Sequence, residues 1–424
     1  MKRAVLLSLV SAAALYFAVI GSHAAGPTCD PGNDGLTLPD GFCAAVVADN
    51  LGVPRHLAVA PNGDLYVAIQ AGRGGGGGGA VALRDADNDG KFEVREKFSD
   101  LNTTGIGLRN GYVYVATPTS VVRYKMTAGT LKPTGAAETV VDGLEAQRQH
   151  EDKGLTFDGR GSLYVNIGSP SNACQARDRT PKSPGQDPCP ILERHGGIWR
   201  FDENKLGQKQ DDGKKYATGM RQMPGITWHD GSLYLVMHGR DQLNTMWPEL
   251  YTTEQNAELP AETFYRVDEN ANLGWPFCYY DWQQNKLLLN PEYGGDGKKT
   301  ERCDQMTKPL AGFPGHWAPN DVMFYSGSQF PAKYRTGAFI AFHGSWNRAP
   351  LPQAGYNVTF VPFSGRNVSG KYEVFASGFA GDKPLVQGVQ AANRPNGLAQ
   401  APDGSLYVAT DAGTGKIWRI MYKK

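Results

Sequence analysis

The chain has 424 residues, with 43 Lys and Arg against 42 Asp and Glu and a formal net charge of +1. So even a balance leaves no electrostatic footprint for nucleic acid or anionic lipid. Its 53 glycines, with almost no long amphipathic helical stretch, argue for strands and turns over a helical bundle.

At the N-terminus, Lys2 and Arg3 precede an apolar run from Ala4 to about Ile20, followed by Ser22, Ala24 and Ala25. A positive start, a short apolar run and an Ala-type cleavage site predict an export signal over residues 1–25, with an uncleaved anchor as the alternative. The run is short for a spanning helix and no other long apolar stretch follows, so no stable membrane insertion is expected. Residues 26–424 then form one mature domain, periplasmic or secreted, with no interdomain linker. Losing Lys2 and Arg3 moves the charge from +1 to −1. Six cysteines fall into local pairs, Cys29 with Cys43, Cys174 with Cys189 and Cys278 with Cys303. In an oxidising compartment these read as disulfides clipping loops, although sequence alone does not fix connectivity. No Cys-x-x-Cys-His is present, so no covalently attached haem is expected.

One phrase returns along the chain: a polar residue, an apolar strand, a Pro/Asp/Asn-Gly turn, then a strand with Leu-Tyr-Val. Its copies run Arg55 to Ala68, Thr104 to Ala116, His150 to Asn166, Arg221 to Val236, Asn320 to Phe342 and Arg394 to Ala409. Tyr66, Tyr114, Tyr164, Tyr234 and Tyr407 hold matching places, with Phe339–Phe342 in the remaining copy. Each copy reads as a β-hairpin with one buried face. Six near-copies of one hairpin predict an all-β, six-bladed β-propeller with long decorating loops, where a β-sandwich would show turns without the repeat.

Within the first repeat interval, Asp85, Asp87, Asp89, Gly90 and Glu96 fit a calcium-loop pattern and predict a structural calcium site between strands. The alternative is an acidic solvated turn. The glycine run from Gly74 to Gly79 is followed by no helix, so it reads as a flexible loop and not a dinucleotide site.

The polar residue opening each repeat falls on a ring around the propeller axis: Arg55, Thr104, His150, Arg221 with Gln222, Asn320, and Arg394 with Asn396. An Arg-rich ring, short of carboxylates, suits a small planar polyanion, because guanidinium forks match carboxylates and stack on aromatic planes.

These residues resemble the soluble pyrroloquinoline quinone (PQQ)-dependent sugar dehydrogenases, in their sorbosone dehydrogenase-like branch. The resemblance rests on HEDKGLTFDGRGSLYVNIG, GMRQMPGITWH, LVMHGRDQLN, NLGWP and NRPNGLAQAPDG. It implies oxidation of a sugar alcohol, aldose or sugar aldehyde by hydride transfer to calcium-held PQQ, with His150 as general base. By the same match Arg221, Gln222, Arg394 and Asn396 contact the cofactor, and the backbone carbonyls of Gly239 and Arg240 hold its Ca2+. Gln222 stands where that family usually has Asn, and Asn396 where its glucose-oxidising members have Arg. Arg55 and Arg348 are further candidates for the quinone carboxylates, by position. The expected partners are a small sugar or aldehyde and an external electron acceptor, a cytochrome or quinone. A calcium-dependent lactonase or esterase on the same fold would want acidic and amide ligands on the axis, and a non-catalytic binding propeller would not need His150 in register with the arginines.

Overall fold

The computed structural model describes residues 27–72 and 76–423; the export signal read over residues 1–25 lies outside them, as does part of the glycine-rich loop. Among the described residues, six blade sheets follow one another along the chain, antiparallel except where Gln208–Lys209 joins Glu138–Asp142 in parallel. Each starts at an innermost strand: Pro54–Val59, Gly105–Arg109, Leu155–Phe157, Ile226–His229, Pro319–Phe324 and Pro395–Gln400. In that order they define blades one to six. Every innermost strand touches those of the blades before and after it, and blade six returns to blade one, so the ring closes.

The repeated phrase builds the first two strands of each blade. Asn110–Gly111 and Asp230–Gly231 turn two of the hairpins with both residues at positive φ, 49° and 77° in one and 43° and 73° in the other. That twist matches the right-handed twist of the strands it joins. The second strands are Leu65–Ile69, Tyr112–Ala116, Ser162–Ile167, Ser232–Met237, Gly337–Phe342 and Leu406–Thr410. Each carries the repeated aromatic, and each aromatic packs into the next blade. Tyr66 meets Ile106 and Val115, Tyr114 meets Leu155 and Val165, and Tyr164 meets Ile226 and Leu235. Tyr234 meets Val322 and Ile340, Phe339 meets Leu398 and Leu406, and Tyr407 meets Leu57 and Val67. All six are at most 3% exposed. Burying each aromatic contributes roughly 1.5–3 kcal/mol, so the wedge between blades is a principal source of cohesion. Any hairpin repeat without this residue would leave a slot between two sheets.

Blade six has an outermost strand that the repeat does not announce. Phe42–Ala48 pairs antiparallel with Lys416–Tyr422, Phe42 facing Tyr422 and Ala45 facing Arg419. The disulfide Cys29–Cys43 secures that strand to the segment before it. The other two cysteine pairs also form, Cys174–Cys189 and Cys278–Cys303, closing loops with sequence separations of 15 and 25. Three disulfides fit an oxidising compartment. Among the described residues, no helix is long and apolar enough to cross a membrane.

Chain direction fixes which face is functional. Innermost strands run from the ring of polar residues towards the short turns, so the connections after the second strands return to the ring. The Cys174–Cys189 loop follows the second strand of blade three, and residues 238–261 follow that of blade four. The hairpin Cys278–Asp281 with Lys286–Leu289 belongs to the long connection before the last strand of blade four, and it climbs to the same rim.

Candidate active site at the propeller mouth

His150 sits on the ring with φ at +56°, a left-handed conformation that swings its side chain off the path of the innermost strand. Its Nδ1 lies 2.6 Å from the Ser169 carbonyl. A carbonyl only accepts, so Nδ1 carries the proton and Nε2 keeps a lone pair. Burial, reinforced by the charge of Arg221, pushes the imidazole well below its ordinary range, so the ring is neutral at pH 7. Gly168 is where this packing is tightest. A Cβ there would lie 2.5 Å from the His150 carbonyl oxygen, 2.7 Å from Gln222 Oε1 and 2.9 Å from His150 Cβ. Only a glycine lets His150 and Gln222 both close on this position.

Arg221 and Gln222 precede the innermost strand of blade four, and Gln222 bridges to His238 at the end of the neighbouring strand. Arg221 Nη1 donates to the Gly239 carbonyl at 2.8 Å, and Nη2 donates to Asp241 at 2.7 Å and to Asn172 at 3.1 Å. Across the mouth, Arg55 pairs with Asp152 and with Asp411 at 2.8 Å. Asn396 and His343 also hold Asp411, at 2.8 and 2.7 Å. Asn320 joins Asn396 to His238 at 3.2 and 3.1 Å. Arg394 donates to the carbonyls of His343 and Gly344 and lines a cavity of about 740 Å³ with Gln70, Glu151, His343 and Asp411. A second cavity, about 450 Å³, opens at the far end of the axis, lined by residues in and beside the innermost strands that include His56, Arg109, Asp158 and Asp321.

The ring differs from the sequence expectation in three respects. It is not short of carboxylates: Asp152, Asp241 and Asp411 stand in it, each paired with arginine. Burial alone would raise the Asp241 carboxyl, but Arg221, His316 and Arg179 hold it well below the usual range. His343 and Arg55 do the same for Asp411 against its own burial. Arg348 is not in the ring. It is buried against the carbonyls of Ala257, Gly315 and Pro352 and paired with Glu258, which makes it a tie for the surrounding loops. In the acidic loop the fourth carboxylate is Glu93, whose oxygen gathers with those of Asp85, Asp87 and Asp89 within 4.8 Å. Glu96 instead lies on strand Val94–Ser99, opposite Ala82.

Several buried polar atoms at the mouth have no hydrogen-bond partner: Arg55 Nε, Arg221 Nε, Gln222 Oε1 and Asn347 Oδ1. Buried polar groups nearly always find a partner in protein, water or a bound group, so these atoms are open to a group bound at the mouth. Unspent guanidinium donors beside hard amide and carbonyl oxygens suit a planar polyanion together with a hard cation.

Residues that the opening phrase does not contain complete the site, and a simple signal finds most of them. Four positions after each repeated aromatic stand Gln70, Gly168, His238, His343 and Asp411, with Pro118 in blade two. Period-two geometry brings these strand ends to the same ring. Arg179, by contrast, arrives from the Cys174–Cys189 loop, where it meets Asp241 at 3.1 Å and Gln149 at 3.0 Å.

Residues 36–423 match the family described as TrAA12-like. An uncharacterized protein of Borreliella burgdorferi is 25% identical over 281 residues, 65% of this chain and 62% of that one. The pyrroloquinoline quinone-dependent pyranose dehydrogenase of Coprinopsis cinerea is 29% identical over 287 residues, 56% of this chain and 36% of that protein. The chain therefore spans about three fifths of one curated relative it matches and about a third of the other. Among solved structures, the calcium structure of the Trichoderma reesei carbohydrate-active enzyme of family AA12 superposes with a TM-score of 0.73 at 20% identity, covering 95% of this chain and 99% of that one. The holo pyranose dehydrogenase PQQ domain of Coprinopsis cinerea gives 0.71 at 20% identity, with 94% and 99% covered. The PQQ-bound aldose sugar dehydrogenase of Streptomyces coelicolor gives 0.57 at 18%, with 91% and 99% covered. These superpositions share the six-bladed fold.

Proposed function

This chain belongs to the TrAA12-like family, and on that premise we propose that it is an exported PQQ-dependent dehydrogenase of a sugar or sugar aldehyde. The observation that carries the reading is His150, a neutral imidazole with Nδ1 tied to Ser169 and Nε2 left as acceptor, set beside buried arginines with unspent donors. When bound, the calcium-held quinone would supply the hydride acceptor. Arg55, Arg221 and Arg394 would grip its carboxylates, and the carbonyls of Gly239 and Arg240 with Gln222 Oε1 would hold the cation. His150 Nε2 would take the hydroxyl proton of the substrate, and a positioned base of this kind contributes about 10²–10⁴-fold. Asn396, held by Asp411 and Asn320, would act on the quinone through that network.

A calcium-activated hydrolase would need the axial oxygens free, whereas Asp152, Asp241 and Asp411 are each committed to a guanidinium. The same reading includes export with loss of residues 1–25, a mature single propeller, an external cytochrome or quinone as electron acceptor, and a structural calcium at Asp85, Asp87, Asp89 and Glu93. The test is a titration of the mature protein with PQQ in excess calcium, followed by absorbance, and then a panel of aldoses and sugar aldehydes. Stoichiometric uptake, with bleaching on one substrate, is expected. No uptake at micromolar PQQ would end the dehydrogenase reading.

A further inference from the structure

Gly239 and Arg240 belong to no strand, so nothing in a sheet ladder fixes their carbonyls. Side chains do it instead. Gly239 N–H donates to Glu262, its carbonyl accepts from Arg221, and the Asp241 N–H and carbonyl both meet the side-chain amide of Asn172. The side chain of Arg240 turns away from the mouth and is 1% exposed. It ends on Glu292, itself fully buried, which lies in the connection closed by Cys278–Cys303. Glu292 also accepts from Trp247 Nε1 at 3.0 Å and from Gln175 Nε2 at 3.3 Å. Its backbone carbonyl accepts from Gly185 N at 3.0 Å. Gln175 and Gly185 belong to the other disulfide-clipped loop, so one carboxylate gathers three segments behind the mouth.

We infer that Glu292 is a positioning residue: by anchoring the far end of the Arg240 side chain, it fixes the orientation of the Gly239 and Arg240 carbonyls and so sets the affinity for the cofactor's cation. A side chain held at both ends leaves its own peptide groups little rotation, and partners one shell behind a metal site typically contribute 10–100-fold in metal affinity. Mouth chemistry in this chain thus depends on a carboxylate that never reaches the mouth. The inference rests on the quinoprotein reading above and adds the element that shapes the cation site.

Glu292→Gln keeps the volume and an acceptor for Trp247 but removes the charge facing Arg240. The calcium needed for half-maximal PQQ uptake, read by absorbance, should rise about 10–100-fold. A companion variant, Arg240→Met with Glu292→Leu, replaces the buried pair by apolar groups of similar size, an exchange that commonly preserves stability. Its cofactor-free melting temperature should return close to wild type while its calcium requirement stays raised. The inference is overturned if Glu292→Gln leaves the calcium requirement unchanged, or if the double variant restores both quantities. A wild-type protein that takes up neither calcium nor PQQ would remove the functional reading and this inference with it.

Discussion

Replacing Asp241 by Asn tests the electrostatics of the mouth most directly. The carboxylate faces Arg221, whose side chain is 4% exposed, and Arg179, whose side chain is 30% exposed. In the variant the buried Arg221 guanidinium keeps its bonds to Gly239 and Asn172 but loses its counter-charge. Breaking one side of a buried pair costs about 3–5 kcal/mol, and the retained bonds place this case near 3. The more exposed Arg179 pair adds only about 0.5 kcal/mol. The sign with pH follows from the depressed carboxyl. Its stabilisation is fully present above the unfolded value near 3.9 and is lost as pH falls below that towards the folded value. Urea unfolding of cofactor-free protein should therefore give a gap between wild type and variant of about 3 kcal/mol at pH 7 that narrows at about pH 3.5. A gap under about 1 kcal/mol at pH 7, or one that acid leaves untouched, would refute the pairing argument.

His150→Asn should retain PQQ binding while turnover falls about 10²–10⁴-fold, and normal turnover would remove His150 as the base. Because burial lowers the His150 imidazole, wild-type kcat should hold steady as pH falls from 7.5 to about 6.5, the ordinary histidine value, and decline only in stronger acid. A decline centred at that ordinary value would contradict the assigned environment. Gly168→Ala pushes His150 and Gln222 away from this position, so both PQQ affinity and kcat should drop together; a variant with wild-type kinetics would show that their close packing on Gly168 is not needed. Asp87→Ala should abolish the increment that calcium adds to the melting temperature, and an increment that survives would make the Asp85–Glu93 turn a plain acidic loop.

What sequence made legible followed from local repetition. An aromatic returning in the same place of each hairpin had to be buried between sheets, and that alone called for a ring of blades. The polar residues heading the hairpins stand at one end of the ring, His150, Arg221, Gln222 and Arg55 among them. Direction was harder to read where no strand carries the residue. Arg348 lies in a loop, and nothing in HGSWNR says that its guanidinium turns inward to the carbonyls of Ala257 and Gly315. Asp241, Arg179 and Glu292 owe their positions to packing between blades and between disulfide-closed loops, which no local period reports. Glu96 stands at the twelfth position of the calcium-loop pattern, and that spacing alone pointed to it. Here a strand starts at Val94, and the nearer carboxylate closes the cluster.

The pairing of Phe42–Ala48 with Lys416–Tyr422 gives the ring a seam at one known place. A chain synthesised N-terminus first must carry its first strand unpaired until the last one follows, so the circle can be fastened only after the other blades have been made. Deleting only the final strand would leave blade six with an open edge while blades one to five remain intact in sequence. The seam is also movable. Since Phe42 and Tyr422 face each other across the ladder, a short turn joining them, with new ends cut between two other blades, would transfer the clasp elsewhere on the circumference and leave the mouth unchanged.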